Sequence, residues 1–228
     1  VRILEGGDLD NKVTASIIFT YMRDKGISFT ECLRRVQLLS EKEKAHIIDA
    51  ELEGRGKFDR MPRSIQHGTT LMEFFFDFGA YRDVQRHRAS MQIWQGATAI
   101  HGYDYPEYMD LPGMEQFKRA YDKAMTKMTE LARRIVQVHP HESEYAGAMG
   151  HLIRTTFEMH PGQLAYVIEL RTTPQGHQSY RRLFQRVHQL MHDHAPLISK
   201  HIRVDQDPEA SRKKQEERAA EKREKIGL

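Results

Sequence analysis

Met72-Glu73-Phe74-Phe75-Phe76-Asp77-Phe78-Gly79-Ala80-Tyr81-Arg82-Asp83-Val84-Gln85-Arg86-His87-Arg88 is the stretch on which the reading of this chain turns. In its first half Met72, Phe74, Phe76 and Phe78 alternate with Glu73, Phe75 and Asp77. A period of two puts the two sets on opposite faces of a strand, and the phenylalanines mark it as a core element rather than a platform for bases. Gly79 punctuates the alternation, and residues 80–88 predict a helix ending in two guanidiniums that flank an imidazole. Guanidinium geometry suits bidentate contacts to carboxylate or phosphate. By itself the triplet is weak evidence and is more often an ordinary structural cluster of charges than a site.

Upstream, residues 1–5 read as an edge strand, and residues 14–23 and 30–39 as helices, the first stopped by Gly26. A third helix starts at Ser40, which with Glu43 makes a capping box, and ends near Gly54. Downstream, residues 103–112 form a turn-rich loop. The clearest helix spans residues 114–138, where Phe117, Tyr121, Ala124, Met128, Leu131 and Ile135 recur at three- and four-residue spacing. Residues 152–159 predict a strand, His160-Pro161-Gly162 a turn, and residues 163–171 and 178–192 two more helices. The second of these turns Leu183, Phe184, Val187, Leu190 and Met191 inward. The expected fold class is α+β: a mixed sheet packed with long helices in one domain over residues 1–204, then a charged helical or disordered tail over 205–228.

The chain has 228 residues, 39% hydrophobic and 29% charged, with a net charge of +3. That balance fits a soluble globular protein, and no apolar run approaches the ~18 residues of a membrane helix. The single cysteine, Cys32, excludes an internal disulfide framework and points to a reducing compartment, the cytoplasm. The N-terminal Val1-Arg2-Ile3-Leu4-Glu5 reads as a strand and not as a secretory leader, and a start at valine is compatible with a chain trimmed or cut from a longer one. Both charge signs interleave in Arg212-Lys213-Lys214-Gln215-Glu216-Glu217-Arg218, which argues a solvated helix face and against a phosphate-binding stripe for nucleic acid. His188 and His192 lie one helical turn apart, but no third-ligand motif accompanies them, so no metal is expected.

His67 lies nineteen residues before Arg86, across the phenylalanine strand, and Ser90 follows Arg88. Leu170-Arg171 ends a later helix, and Ser179-Tyr180-Arg181-Arg182-Leu183 opens the last one. This order of elements, over roughly residues 1–200, resembles the flavin-dependent thymidylate synthase family. The resemblance implies that thymidylate is made from dUMP, with methylenetetrahydrofolate as carbon donor and FAD reduced by NADPH, in a homotetramer. It implies that Arg86, His87 and Arg88 contact flavin, and that Arg86, Asp83 and Arg171 contact the nucleotide. Arg171 would be the catalytic cation that stabilises charge developing on the uracil ring.

The sequence also departs from that family. Gly96 stands where the family carries a nucleotide-binding serine, Thr98 and Gly147 where it carries phosphate-binding arginines, and Trp94 where it carries an acid. His160-Pro161-Gly162 replaces a flavin-binding Asn-x-Arg. Arg154, His151 and His101 are the candidates to compensate. Three readings therefore stand: a flavin-dependent synthase relative; a non-catalytic domain that keeps the tetramer-forming fold and pairs with a competent second family domain, or binds another ligand; and an unrelated α+β interaction protein whose charged tail docks on a partner.

Overall fold

A computed structural model describes residues 1–207 and Glu217. The expected tail, 205–228, therefore falls almost wholly outside the described residues. The chain divides into two compact units, one made of Val1 and Met72–Phe157, the other of Arg2–Leu71 and the chain from Glu158 on. Four strands, β1 (Arg2–Glu5), β2 (Thr70–Asp77), β3 (Met91–Trp94) and β4 (Leu152–Met159), are hydrogen-bonded in the order β1-β2-β4-β3.

In the first unit β2 and β4 each bury alternate residues: Met72, Phe74 and Phe76 from one, Ile153, Thr155 and Phe157 from the other. Phe74 and Phe157 meet edge to face with centroids 5.1 Å apart, the geometry the ring quadrupoles favour. β3 runs antiparallel to β4, since Gln95 N donates to Arg154 O (3.1 Å) while the Thr155 hydroxyl donates to Ile93 O (2.8 Å). The Asp77 side chain accepts from Ala80 N (2.7 Å) and caps α4 (Phe78–Val84), so this helix begins before Gly79 and ends before Arg86. The unit closes with α5 (Glu115–Ile135), which buries Met125 and Ala132. The ridge of Phe117, Ala124 and Leu131 is not its core face.

The second unit is helical: α1 (Leu9–Tyr21), α2 (Phe29–Val36), α3 (Glu41–Leu52), α6 (Pro161–Arg171), α7 (Gln178–His194) and α8 (Pro196–Ser199). The Ser40–Glu43 capping box is present at α3. Cys32 is a free thiol buried with Ala15 and Val36. Phe184, Val187 and Met191 of α7 are buried as their spacing predicts. His188 Nε2 and His192 Nδ1 lie against the backbone oxygen and the hydroxyl of Ser199, respectively, so both imidazoles join α7 to α8. No helix among the described residues is long and apolar enough to cross a membrane.

Candidate functional site

Arg86, His87 and Arg88 occupy a tight turn between α4 and β3. The carbonyl of His87 accepts from Ser90 N (3.2 Å), from Ser90 Oγ (2.5 Å) and from Gln92 Nε2 (3.0 Å). The same Gln92 amide reaches Gln85 O (3.3 Å) and Ser90 Oγ (2.8 Å), so one side chain on β3 fixes the turn at three points. The turn buries the His87 imidazole and leaves Arg86 and Arg88 exposed. Neither guanidinium has a side-chain hydrogen bond or ion pair among the described residues. Two exposed cations carried on a hydrogen-bonded turn, with their donors unspent, are suited to an anion. Asp83 sits half-buried on α4, one helical turn before His87.

Beside the turn, Trp94 stacks on Tyr81 (5.4 Å, 27° between planes) and on Phe78 (6.1 Å, 9°), and keeps 41% of its surface exposed. Burial pushes the Tyr81 phenol pKa up, so it stays protonated. Beyond Trp94 the chain turns through Gly96 at φ +84°, a conformation that disfavours any side chain. A Cβ at Gly96 would also meet the carboxylate of Glu144. At Gly147 a Cβ would lie 2.8 Å from Ala97 O and 3.2 Å from Glu144 O, both backbone atoms that cannot step aside. Glycine at these two positions is therefore demanded by the local backbone, and the group presented there is an exposed acid.

The three candidates to replace the missing cations are otherwise engaged. Arg154 pairs with Glu73 (3.1 Å) and lies over the Phe75 ring (5.3 Å to the centroid). His101 packs edge to face on Phe75 at 5.4 Å, and burial, reinforced by the Arg154 charge, lowers its pKa. His151 is wholly buried: Nδ1 accepts from Ala148 N (2.8 Å) and Nε2 faces Thr129 Oγ1 (3.1 Å), the pattern of a neutral Nε2–H tautomer. In the second unit, His67 precedes β2 with its ring 5.0 Å from Phe29. His160 caps α6, its Nδ1 accepting from Gln163 N (3.1 Å), so His160-Pro161-Gly162 is a helix start. Arg171 ends that helix with its guanidinium 5.1 Å above the Tyr180 ring.

Burial lowers the pKa of His151, against the opposing pull of its bonds with Ala148 and Met125. The unfolded chain therefore takes up this proton first as pH falls below about 6.5, and stability is lost from there down to the lower folded value. His101 and His160 are depressed too, and carry the same sign. Urea midpoints should thus fall between pH 7.5 and 5, and His151→Gln should flatten that slope. An unchanged slope in the variant would remove His151 from the account.

No family model matches the chain. It is 33% identical over 181 residues to a UPF0159 protein of Chlamydia pneumoniae, covering 78% of this chain and 33% of that protein. A UPF0159 protein of Chlamydia muridarum is 30% identical over the same length. The chain spans about a third of the length of these curated relatives. Its fold matches a UMP/dUMP methylase, PolB, from Streptomyces cacaoi bound with 5-Br dUMP, at a TM-score of 0.68 and 10% identity, covering 88% of this chain and 92% of that one. It also matches the flavin-dependent thymidylate synthase ThyX of Helicobacter pylori complexed with FAD and dUMP, at a TM-score of 0.59 and 12% identity, covering 88% and 98%. The fold is therefore that of ThyX and PolB. Gln92 and Glu144, which shape the site most, carry no signal in the sequence: one acts on carbonyls from a neighbouring strand, the other reaches Gly96 from a distant turn.

Proposed function

We propose that this chain is a flavin-dependent thymidylate synthase-like protein that binds FAD through Arg86 and Arg88. The observation that carries the reading is the pair of exposed, unpaired guanidiniums on a turn clamped by Gln92, within a ThyX/PolB-like fold. The fit is to an anion: the two guanidiniums would hold the cofactor's phosphates, and the buried His87 between them in the chain would anchor the turn. Arg86 and Asp83 are the proposed contacts to dUMP, and Arg171 the proposed cation that stabilises negative charge on the pyrimidine. Bound FAD, reduced by NADPH, would supply the hydride for methylation of dUMP with methylenetetrahydrofolate as carbon donor. The reading extends to a cytoplasmic homotetramer.

A second reading rests on Glu144 and Gly147. A carboxylate against Gly96 repels a phosphate, and the backbone around Gly147 admits no cationic side chain. On this reading the chain is a non-catalytic domain serving structure or assembly, or a flavin- or nucleotide-binding protein whose substrate is not dUMP.

The test is uptake of FAD, followed as flavin absorbance that stays with the protein through gel filtration. Arg86→Ala and Arg88→Ala should each weaken FAD at least about tenfold, since a hydrogen bond to a charged group contributes about 1.5–3 kcal/mol. Unchanged affinity in both would sink the site assignment. A dUMP titration of the FAD-loaded protein then separates the readings: saturable binding supports the synthase, and none supports the second.

A further inference from the structure

The helix α5 carries a pattern that its own fold does not use. Phe117, Tyr121, Ala124, Met128, Leu131 and Ile135 follow one another at alternating steps of four and three residues. That is a 3.5-residue period sustained across the helix, the spacing of a coiled-coil seam. A helix serving only as a lid over a core needs one broad stripe, and α5 meets that need with Met125 and Ala132, which are buried, and with the half-buried Tyr121, Met128 and Ile135. The other half of the seam faces outward: Phe117 is 52% exposed and Leu131 48%, with Ala124 exposed between them. From Phe117 to Leu131 the ridge runs roughly 20 Å along the helix.

The margin of the ridge away from the core carries Lys123, Lys127, Glu130 and Arg134, three cations against one carboxylate. All four are exposed, and none makes an ion pair among the described residues. This charge decides the occupant. A second copy of the helix would set these cations against one another in either orientation, and like charges across a seam are the usual device against self-pairing. The run after Asp207 is itself net positive and complements the margin no better. A membrane surface would suit the basic margin, but the exposed apolar face is one residue wide and interrupted by Ala124, which is little to immerse.

We propose that the Phe117–Ala124–Leu131 ridge of α5 docks an amphipathic helix of a partner protein, one whose own apolar seam is flanked by Asp and Glu. The ridge supplies knobs at heptad spacing, and Lys123, Lys127 and Arg134 select an acidic partner and set its register. This site is independent of the Arg86–Arg88 turn and stands whether or not the chain binds flavin.

The probe is a fluorescent three-heptad peptide with Leu at both seam positions and Glu at both flanking positions, kept monomeric by its own repulsion. A second peptide carries Lys in place of Glu. Titrated with the whole chain and read by anisotropy, the Glu peptide should bind at least about tenfold more tightly than the Lys peptide, with the preference shrinking in salt. Leu131→Glu should abolish binding while leaving thermal unfolding within a few degrees. Lys127→Glu combined with Arg134→Glu, which leaves the seam intact, should reverse the preference and serves if Leu131→Glu misfolds. No binding of the Glu peptide, equal binding of both peptides, or no response to the charge reversal would overturn the proposal. So would a dimer in light scattering, or sedimentation with phosphatidylserine vesicles, that Leu131→Glu removes.

Discussion

Glu169→Ala is expected to lower the unfolding free energy by about 3–5 kcal/mol, the range for a buried charge stripped of its partner. Arg55 and Glu169 form a bidentate pair, Nη1 to Oε1 at 2.8 Å and Nη2 to Oε2 at 2.7 Å, with side chains only 9% and 17% exposed. The pair is also a junction. Arg55 Nε donates to Asp59 O (3.2 Å) and Nη1 to His201 O (3.3 Å), while Glu169 accepts from Arg203 N (3.1 Å). The Arg203 guanidinium donates back to Arg55 O at 2.6 Å. Removing the carboxylate leaves a desolvated guanidinium and loosens three chain segments at once. Replacing both partners, as Arg55→Met with Glu169→Leu, removes the stranded charge and should recover most of the loss, because a buried pair contributes little net stability over a well-packed apolar one. Urea is the denaturant to use, since guanidinium salt would screen the charges under test. If Glu169→Ala moves the urea midpoint no more than an exposed ion-pair variant such as Glu31→Ala, the pair is not acting as a buried junction.

The parts of this fold that could be read in the sequence are those where one local rule acts without competition. β2 and β4 each keep a buried face against a half-exposed one, so their period of two survives. The α3 capping box is legible because both of its hydrogen bonds join residues three apart. β3 gave no such signal. Met91, Ile93 and Trp94 are all exposed on a four-residue edge strand, so no alternation distinguishes it from a loop. The sequence predicts α4 two residues late and through Arg88, because propensity does not show that Asp77 caps it or that the Gln92 amide takes the Gln85 carbonyl at its end. In α5 the apolar recurrence was visible, but which side faced inward was settled by packing around Met125 and Ala132. At the candidate site the Arg86-His87-Arg88 triplet stood out by composition. The acid beside Gly96 did not, since Glu144 reaches it only once the chain has folded.

Phe157→Ala should cost about 3–5 kcal/mol, the usual range for emptying a buried aromatic site. The ring is fully buried on β4, edge to face with Phe74, which in turn meets Phe76 at 5.8 Å, so the cavity would open in the middle of a phenylalanine cluster. Neighbours on a hydrogen-bonded sheet cannot collapse into the space, which places the expected value toward the upper end. Phe157→Leu, which keeps most of the volume, should cost less than half as much. The same strand holds β3 through Thr155 and Arg154, and β3 carries Gln92, the clamp on the Arg86–Arg88 turn. The two substitutions should therefore separate stability from the site. At low temperature, where Phe157→Ala remains folded, its FAD affinity should stay within a fewfold of the parent, because the backbone bonds from β4 to β3 do not pass through the ring. Gln92→Ala should do the reverse, moving the urea midpoint little while weakening FAD severalfold as the His87 carbonyl loses a donor and the turn that carries the two guanidiniums loosens. If Phe157→Ala and Gln92→Ala lower flavin affinity in proportion to their effects on stability, the turn has no preorganisation of its own and Gln92 is only another contact in the fold.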